Sequence, residues 1–132
     1  MTVAAGSRPG LKAHEDSIRL PEAELVRELR DLLGLKLVAY IGSVKETRAV
    51  RQWAEGERKP SAEVMTRLRH SYHVAALLAE HDPASVVQAW FQGMNPGLDD
   101  VPPATLLREG TMDETVRQVL AAARAFSAAG GA

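Results

Sequence analysis

The chain has 132 residues, 45% of them apolar, a formal net charge of −1 and no cysteine. That length and apolar share suffice for a buried core without a metal or disulfide to support it. The lack of cysteine excludes thiol redox chemistry, thiolate zinc sites and a cysteine nucleophile, and no apolar run nears the roughly 18 to 20 residues of a membrane span.

Residues 1–19 contain Gly6, Pro9 and Gly10, few large apolar side chains and no usable period. They read as a flexible N-terminal arm with no charged-then-apolar leader, and a cytoplasmic chain is expected. A first helix is expected from near Pro21, with Leu25, Leu29, Leu32 and Leu33 on one stripe and Gly34 as its stop. A second covers 35–41, with Leu37, Val38 and Ile41 inward, and Gly42 is expected to take the left-handed conformation of a tight turn. The third runs from Glu46 or Thr47 to Glu55. Its Ala49, Val50 and Trp53 recur at three- and four-residue spacing and face the core, which leaves Thr47, Arg48, Arg51 and Gln52 outside.

Two short helices around a tight turn, followed by the basic loop 56–60, have the grammar of a helix-turn-helix, whose second helix lies in the major groove of DNA. Arginine bonds guanine O6 and N7 bidentately and glutamine does the same with adenine N6 and N7, while Lys45, Arg58 and Lys59 stand at the helix ends, where phosphates are gripped. The plain alternative is an amphipathic helix with a solvated polar face. From Lys45 to His73 seven Lys or Arg face four acids, whereas from Glu80 to Glu114 seven acids face one Arg, which suggests a basic face for phosphate and an acidic segment for another partner. Glu55, Glu57 and Glu63 beside the third helix keep open an adaptor without DNA affinity.

Ser61 is expected to cap a fourth helix, 62–80, with Val64, Leu68, Tyr72, Ala75 and Leu78 or Ala79 inward and Arg67 and Arg69 extending the basic face. His70 and His73 lack a third ligand, so no metal is expected. Asp82 and Pro83 are expected to start a short helix through Phe91, as N-cap and first-turn proline, with Val86, Val87 and Trp90 on its apolar side. A loop follows, then a very short helix, 104–109, ended by Gly110, and a last helix from Asp113 with Val116, Val119, Leu120, Ala123 and Phe126. Asp99 and Asp100 read as a solvated turn. No strand pattern, phosphate-binding loop or nucleophile elbow occurs, so the chain is expected to be all-α and non-enzymatic, with no catalytic residue or cofactor. An arm (1–19), a helix-turn-helix domain (20–80) and a C-terminal binding domain (81–132) are expected.

Val44-Lys45-Glu46-Thr47-Arg48-Ala49-Val50-Arg51-Gln52-Trp53-Ala54-Glu55-Gly56, with Pro60 beyond, resembles the Xre-type helix-turn-helix. Ala89-Trp90-Phe91, then Asn95-Pro96-Gly97-Leu98, then Pro103-Ala104-Thr105-Leu106-Leu107-Arg108-Glu109-Gly110 is similar to the toxin-binding domain of Xre/MbcA/ParS-type antitoxins. The resemblance covers about residues 25–126. It implies an all-helical, dimeric antitoxin of a type II pair, which neutralises an NAD-consuming toxin, typically a RES-domain or related ADP-ribosylating enzyme, and represses its own operon. Toxin binding then falls on Trp90, Phe91, Asn95, Pro96, Leu98, Leu106, Leu107 and Phe126. The small neutral end, 127–132, carries no bulky or charged plug, so occlusion is assigned to the Trp90–Gly110 module or the last helix. Read as residues alone, Trp90, Leu106, Leu107 and Val119 are core, and only apolar surface left exposed by the module binds a partner. The alternative is a helix-turn-helix repressor whose C-terminal module only dimerises or senses a ligand.

Overall fold

The computed structural model describes residues 10–109 and 113–130. Every regular element among them is helical, as expected of an all-α chain: α1 (Leu11–Arg19), α2 (Glu22–Leu33), α3 (Leu35–Ile41), α4 (Thr47–Ala54), α5 (Ala62–Ala79), α6 (Ala84–Gln92), a 3₁₀ turn (Pro96–Leu98), α7 (Pro103–Glu109) and α8 (Asp113–Ala128). Among the described residues no helix is long and apolar enough to cross a membrane.

The hub is α5. Ser61 caps it, its Oγ accepting from the Val64 N–H at 3.2 Å. One inward stripe was expected, yet Met65, Leu68, Ser71, Tyr72, Val74, Ala75, Leu77 and Leu78 are all buried, because α1, α2, α6, α7 and α8 surround the helix. A helix covered on most sides has little amphipathic period to read. Val64, expected inward, is only partly covered.

The arm expected over residues 1–19 is corrected for its second half, since residues 11–19 form α1, docked on α5. Its buried face is Ala13 and Ser17, too small to mark a stripe in sequence. Polar ties hold it instead: the Gly10 N–H donates to both carboxylate oxygens of Glu80, at 3.2 and 3.1 Å, and Arg69 donates to the Ser17 carbonyl at 3.0 Å. Residues 1–9 lie outside the described residues, as does the expected stop at Gly110.

Leu25, Val26, Leu29 and Leu33 of α2, Leu37, Val38, Ala39 and Ile41 of α3, and Ala49, Val50, Trp53 and Ala54 of α4 meet in one core. Gly34, at φ 88° and ψ 157°, a region that a side chain resists, breaks α2 from α3 without a linker. The next turn differs from the sequence reading. Gly42 is right-handed at φ −75°, and Ser43, at φ 59°, supplies the left-handed residue. The turn is tightly packed at 42: a Cβ there would stand 3.2 Å from two Trp53 ring carbons and 3.3 Å from the Val38 carbonyl oxygen, so the ring would have to give by a few tenths of an ångström. Arg67 reaches this turn from α5. It is 8% exposed and donates to the carbonyls of Ile41 at 3.2 Å and Gly42 at 3.4 Å, so it stabilises the end of α3 and does not extend a basic face.

Val87, Trp90 and Phe91 of α6, Leu98, Ala104 and Leu107, and Val116, Val119, Leu120 and Ala123 of α8 belong to the same core as α2 and α5. The boundary expected at 80/81 therefore divides the chain but not the core. Gln88 ties α6 to α2, donating to the Leu32 carbonyl at 3.1 Å. Asp82 does not cap α6 as expected. Pro83 occupies the N-cap position in extended conformation with no side-chain cap, and Asp82 Oδ2 is buried with no hydrogen-bond partner among the described residues.

Two outcomes follow for stability. Gly42→Ala forces the Trp53 ring to shift and should cost about 1–3 kcal/mol; Arg67→Met orphans two carbonyls and should cost about 2–3 kcal/mol, whereas Glu63→Gln, across an exposed 3.8 Å pair, should cost little, all by urea unfolding. The second concerns His73, whose ring lies 5.1 Å from that of His14 and whose Nε2 is buried with no hydrogen-bond partner among the described residues. Burial first, then the charges of His14, Arg124 and His70, lower its pKa from 6.5 to about 4. The unfolded ring takes up a proton that the folded ring refuses, so this contribution to stability is complete above pH 6.5 and is lost as pH falls toward 4. His73→Gln should flatten that part of a melting-temperature profile.

Candidate nucleic-acid interface

The polar face of α4 is set by its buried one. Ala49, Val50, Trp53 and Ala54 go inward, so Arg48 and Arg51 stand exposed and Thr47 and Gln52 half-exposed. The C-terminus of α4 is fixed by Arg27 of α2, which donates to the Ala54 carbonyl at 2.8 Å. Beyond it the basic loop folds back, with the N–H groups of Glu57 and Arg58 donating to the Gln52 carbonyl at 2.9 and 3.3 Å. This return brings residues from both ends of α4 together: Lys45, Glu46, Arg48, Gln52 and Arg58 line an open cleft of about 410 Å³.

A second open groove, of about 650 Å³, runs along the other side. Lys36, Tyr40, Lys45, Arg48, Arg51 and Arg108 line it together with Thr47, and Glu46 is its one carboxylate. Lys45, Glu46 and Arg48 line both, so two cations and one carboxylate form the ridge between the two depressions. Lys59, exposed in the loop, lines neither. Of the seven residues expected to contact DNA, six thus border this ridge.

Lys36, Tyr40 and Arg108 were missed in the sequence. Lys36 and Tyr40 stand one helical turn apart on α3, a spacing that sequence shows but that had no motif to mark it. Arg108 is 68 residues from Tyr40 in the chain, and only folding joins them. Its guanidinium lies 4.5 Å from the Tyr40 ring centroid and donates to the Tyr40 carbonyl at 3.0 Å, while the Tyr40 and Thr105 hydroxyls share a 3.1 Å hydrogen bond. Among the described residues none of Lys36, Lys45, Arg48, Arg51, Arg58, Lys59 and Arg108 is in a salt bridge, although pairs form elsewhere, as between Lys12 and Asp16.

The rim carries acids as well. Glu55 raises the Glu57 carboxyl above its usual range, by hydrogen bond and by like charge, and Arg48 opposes the shift. Two carboxylates that crowd each other beside the basic ridge disfavour a second anion there.

The residues expected to bind a toxin divide differently. Phe91, Leu107 and Leu98 are 0, 1 and 6% exposed, which corrects their assignment to a contact surface: their side chains fill the core. Trp90, at 9%, packs edge-on against Phe91 at 5.7 Å and tilts toward Phe126 at 6.4 Å. Leu106 and Phe126 are partly buried. The Asn95 side chain is engaged at the start of the 3₁₀ turn, its Oδ1 accepting from the Gly97 N–H at 2.9 Å, and Pro96 is exposed. Met94, which the sequence reading passed over, is 77% exposed beside it. Among the described residues no three His, Asp or Glu side chains converge as a metal site.

No protein-family model, curated protein or solved structure matches the chain.

If this face takes DNA, removing the charge of Glu57 relieves its acidic rim, and Glu57→Gln should raise affinity for a mixed-sequence duplex roughly two- to fivefold at neutral pH. Because Glu55 raises the Glu57 pKa, the wild-type carboxyl takes up a proton before ordinary carboxylates do, and the gap between the two proteins should narrow as pH falls. Fluorescence anisotropy at two pH values checks both statements.

Proposed function

We propose that this chain is a DNA-binding regulator whose α3–turn–α4 unit is a helix-turn-helix, and that it acts as the antitoxin of a type II pair. The observation that supports the DNA reading is the single outward face of α4: Thr47, Arg48, Arg51 and Gln52 project together from a helix whose C-terminus is held by Arg27, on a ridge whose cations form no salt bridge among the described residues. In this reading α4 enters the major groove, with Arg48, Arg51 and Gln52 meeting base edges while Lys45, Arg58 and Lys59 meet phosphates. A dimer reading two half-sites would give the operator its symmetry.

The antitoxin half of the proposal rests on the sequence resemblance across Trp90–Gly110. The exposed apolar side chains of that segment are Met94 and Pro96, with Leu106 and, from α8, Phe126 partly open to solvent, and these are the positions we assign to the partner protein. Neutralisation is by stoichiometric occlusion of an NAD-consuming enzyme, without turnover. Burial of Phe91, Leu98 and Leu107 narrows the surface available for such a contact and favours the second reading to that extent: a repressor whose C-terminal half only dimerises or senses a ligand.

Deleting everything from Asp82 onward would strip residues from the shared core, so point variants are the sounder test. Co-expression with the protein encoded next to this chain should restore growth and cellular NAD, and Met94→Glu with Pro96→Glu should abolish rescue while the purified variant stays folded. Rescue that survives the double variant removes this surface from the proposal, and no toxicity to rescue leaves the repressor reading. On DNA from the chain's own promoter, Arg51→Ala should relax base preference, whereas Lys59→Ala should weaken all sequences alike and lower the salt slope by about one unit. If both bind like wild type, α4 is not the reading helix.

A further inference from the structure

We infer that the DNA face does not end at α4, and that Lys36 of α3 and Arg108 of α7 form a second phosphate-binding edge, contributed in part by the C-terminal half of the chain. This rests on the DNA reading above and extends it to residues outside the helix-turn-helix.

The groove beside α4 places Lys36, Lys45, Arg48, Arg51 and Arg108 around one depression with Glu46 as its only acid. Five cations against one carboxylate, none of the five in a salt bridge among the described residues, leave a concentrated positive field that a polyanion neutralises best. Arg51 lies on the reading face of α4, so a duplex that α4 enters has its backbone beside this groove.

Arg108 is held in place before any ligand arrives. One of its N–H groups donates to the Tyr40 carbonyl and its plane rests on the Tyr40 ring, yet a guanidinium has five N–H donors, so most of them remain free for phosphate oxygens. A cap on the end of α3 needs only the bond to Tyr40. It does not require the surrounding cluster of Lys36, Lys45, Arg48 and Arg51, which the Arg108 charge repels. Five like charges gathered around a single acid are costly unless an anion offsets them, and the regular anion next to a reading helix is the DNA backbone. Lys36 carries the same edge toward the start of α3, where it is exposed and makes no hydrogen bond or ion pair among the described residues.

The test uses the full chain and a mixed-sequence DNA duplex of about 30 base pairs, titrated between about 50 and 200 mM salt. Lys36→Gln and Arg108→Gln should each lower the salt slope by close to one unit, so that each variant loses about threefold less affinity than wild type across that range, and the double variant about tenfold less. Arg108→Lys, which keeps the charge without the planar fork, should restore the slope. Arg117→Gln, which removes an equal charge from a residue paired with Glu114 and outside both grooves, should leave it unchanged. If Arg108→Gln fails to fold, Lys36→Gln still decides, since its side chain supports nothing. Wild-type slopes in Lys36→Gln and Arg108→Gln, alongside a lowered slope in Lys59→Gln, would overturn the second edge and leave the DNA reading standing. A wild-type chain with no salt-dependent binding to duplex DNA would overturn both.

Discussion

Everything about the α3–α4 unit depends on arginine side chains that satisfy the carbonyl ends of short helices. α3 has seven residues and α4 eight, lengths at which an isolated helix does not persist in water, and each leaves carbonyls without partners at its C-terminus. Arg67 supplies donors to Ile41 and Gly42, Arg108 to Tyr40, and Arg27 to Ala54. A guanidinium suits this role because it carries several donors in a fixed plane and also places positive charge at the negative end of the helix dipole. At about 1.5–3 kcal/mol for a hydrogen bond to a charged group, these contacts rival the burial of a large side chain. They also fix direction. With the end of α3 held from α5, and Gly42 pressed on the Trp53 ring, the angle at which α4 leaves the turn is set by the core.

That arrangement links the two halves of the chain. α5 is surrounded by elements from both, and α7 packs on α3 as well as on α6 and α8. The Tyr40–Arg108 stack and the Tyr40–Thr105 hydrogen bond sit where α7 meets α3, next to the basic groove. A protein that displaced α7 would therefore move a cation on the proposed DNA face. A partner seated on the 3₁₀ turn and α8 would press on elements continuous with it through Leu98 and Leu107.

Periodicity is enough for α2, α3, α4 and α8, because each buries one stripe and exposes another; in α6 it finds Val87 and Trp90 but sets Val86 inward, where Phe91 is the buried residue. It was misleading for α5, whose burial on several sides erases the stripe, and silent for α1, whose contact face is Ala13 and Ser17. The outward residues of α4 were legible for the same reason as the helix, since Ala49, Val50 and Trp53 leave only one face for Arg48, Arg51 and Gln52. Arginines were the hardest to place. Arg67 and Arg69 look like surface charge in the chain, yet they end up bonded to backbone carbonyls 25 to 52 residues away. Arg108 looks like part of a C-terminal module and stands instead beside Arg51. Gly42 reads in sequence as the left-handed residue of the turn, yet it is right-handed and Ser43 takes that conformation, while Gly42 lies close under the Trp53 ring. Sequence spacing carries local conformation; it does not carry which distant ring or carbonyl a residue will meet.

The most direct measurement is selection of duplexes from a random DNA pool by the full chain, compared with a variant in which Thr47, Arg48, Arg51 and Gln52 are all alanine. The account expects wild type to enrich a recurring sequence, two copies of it in inverted orientation if the chain dimerises, and expects the variant to retain weak, salt-sensitive binding with no preferred sequence. A wild-type pool that stays random, or a variant that enriches the same sequence, would contradict the claim that α4 reads DNA.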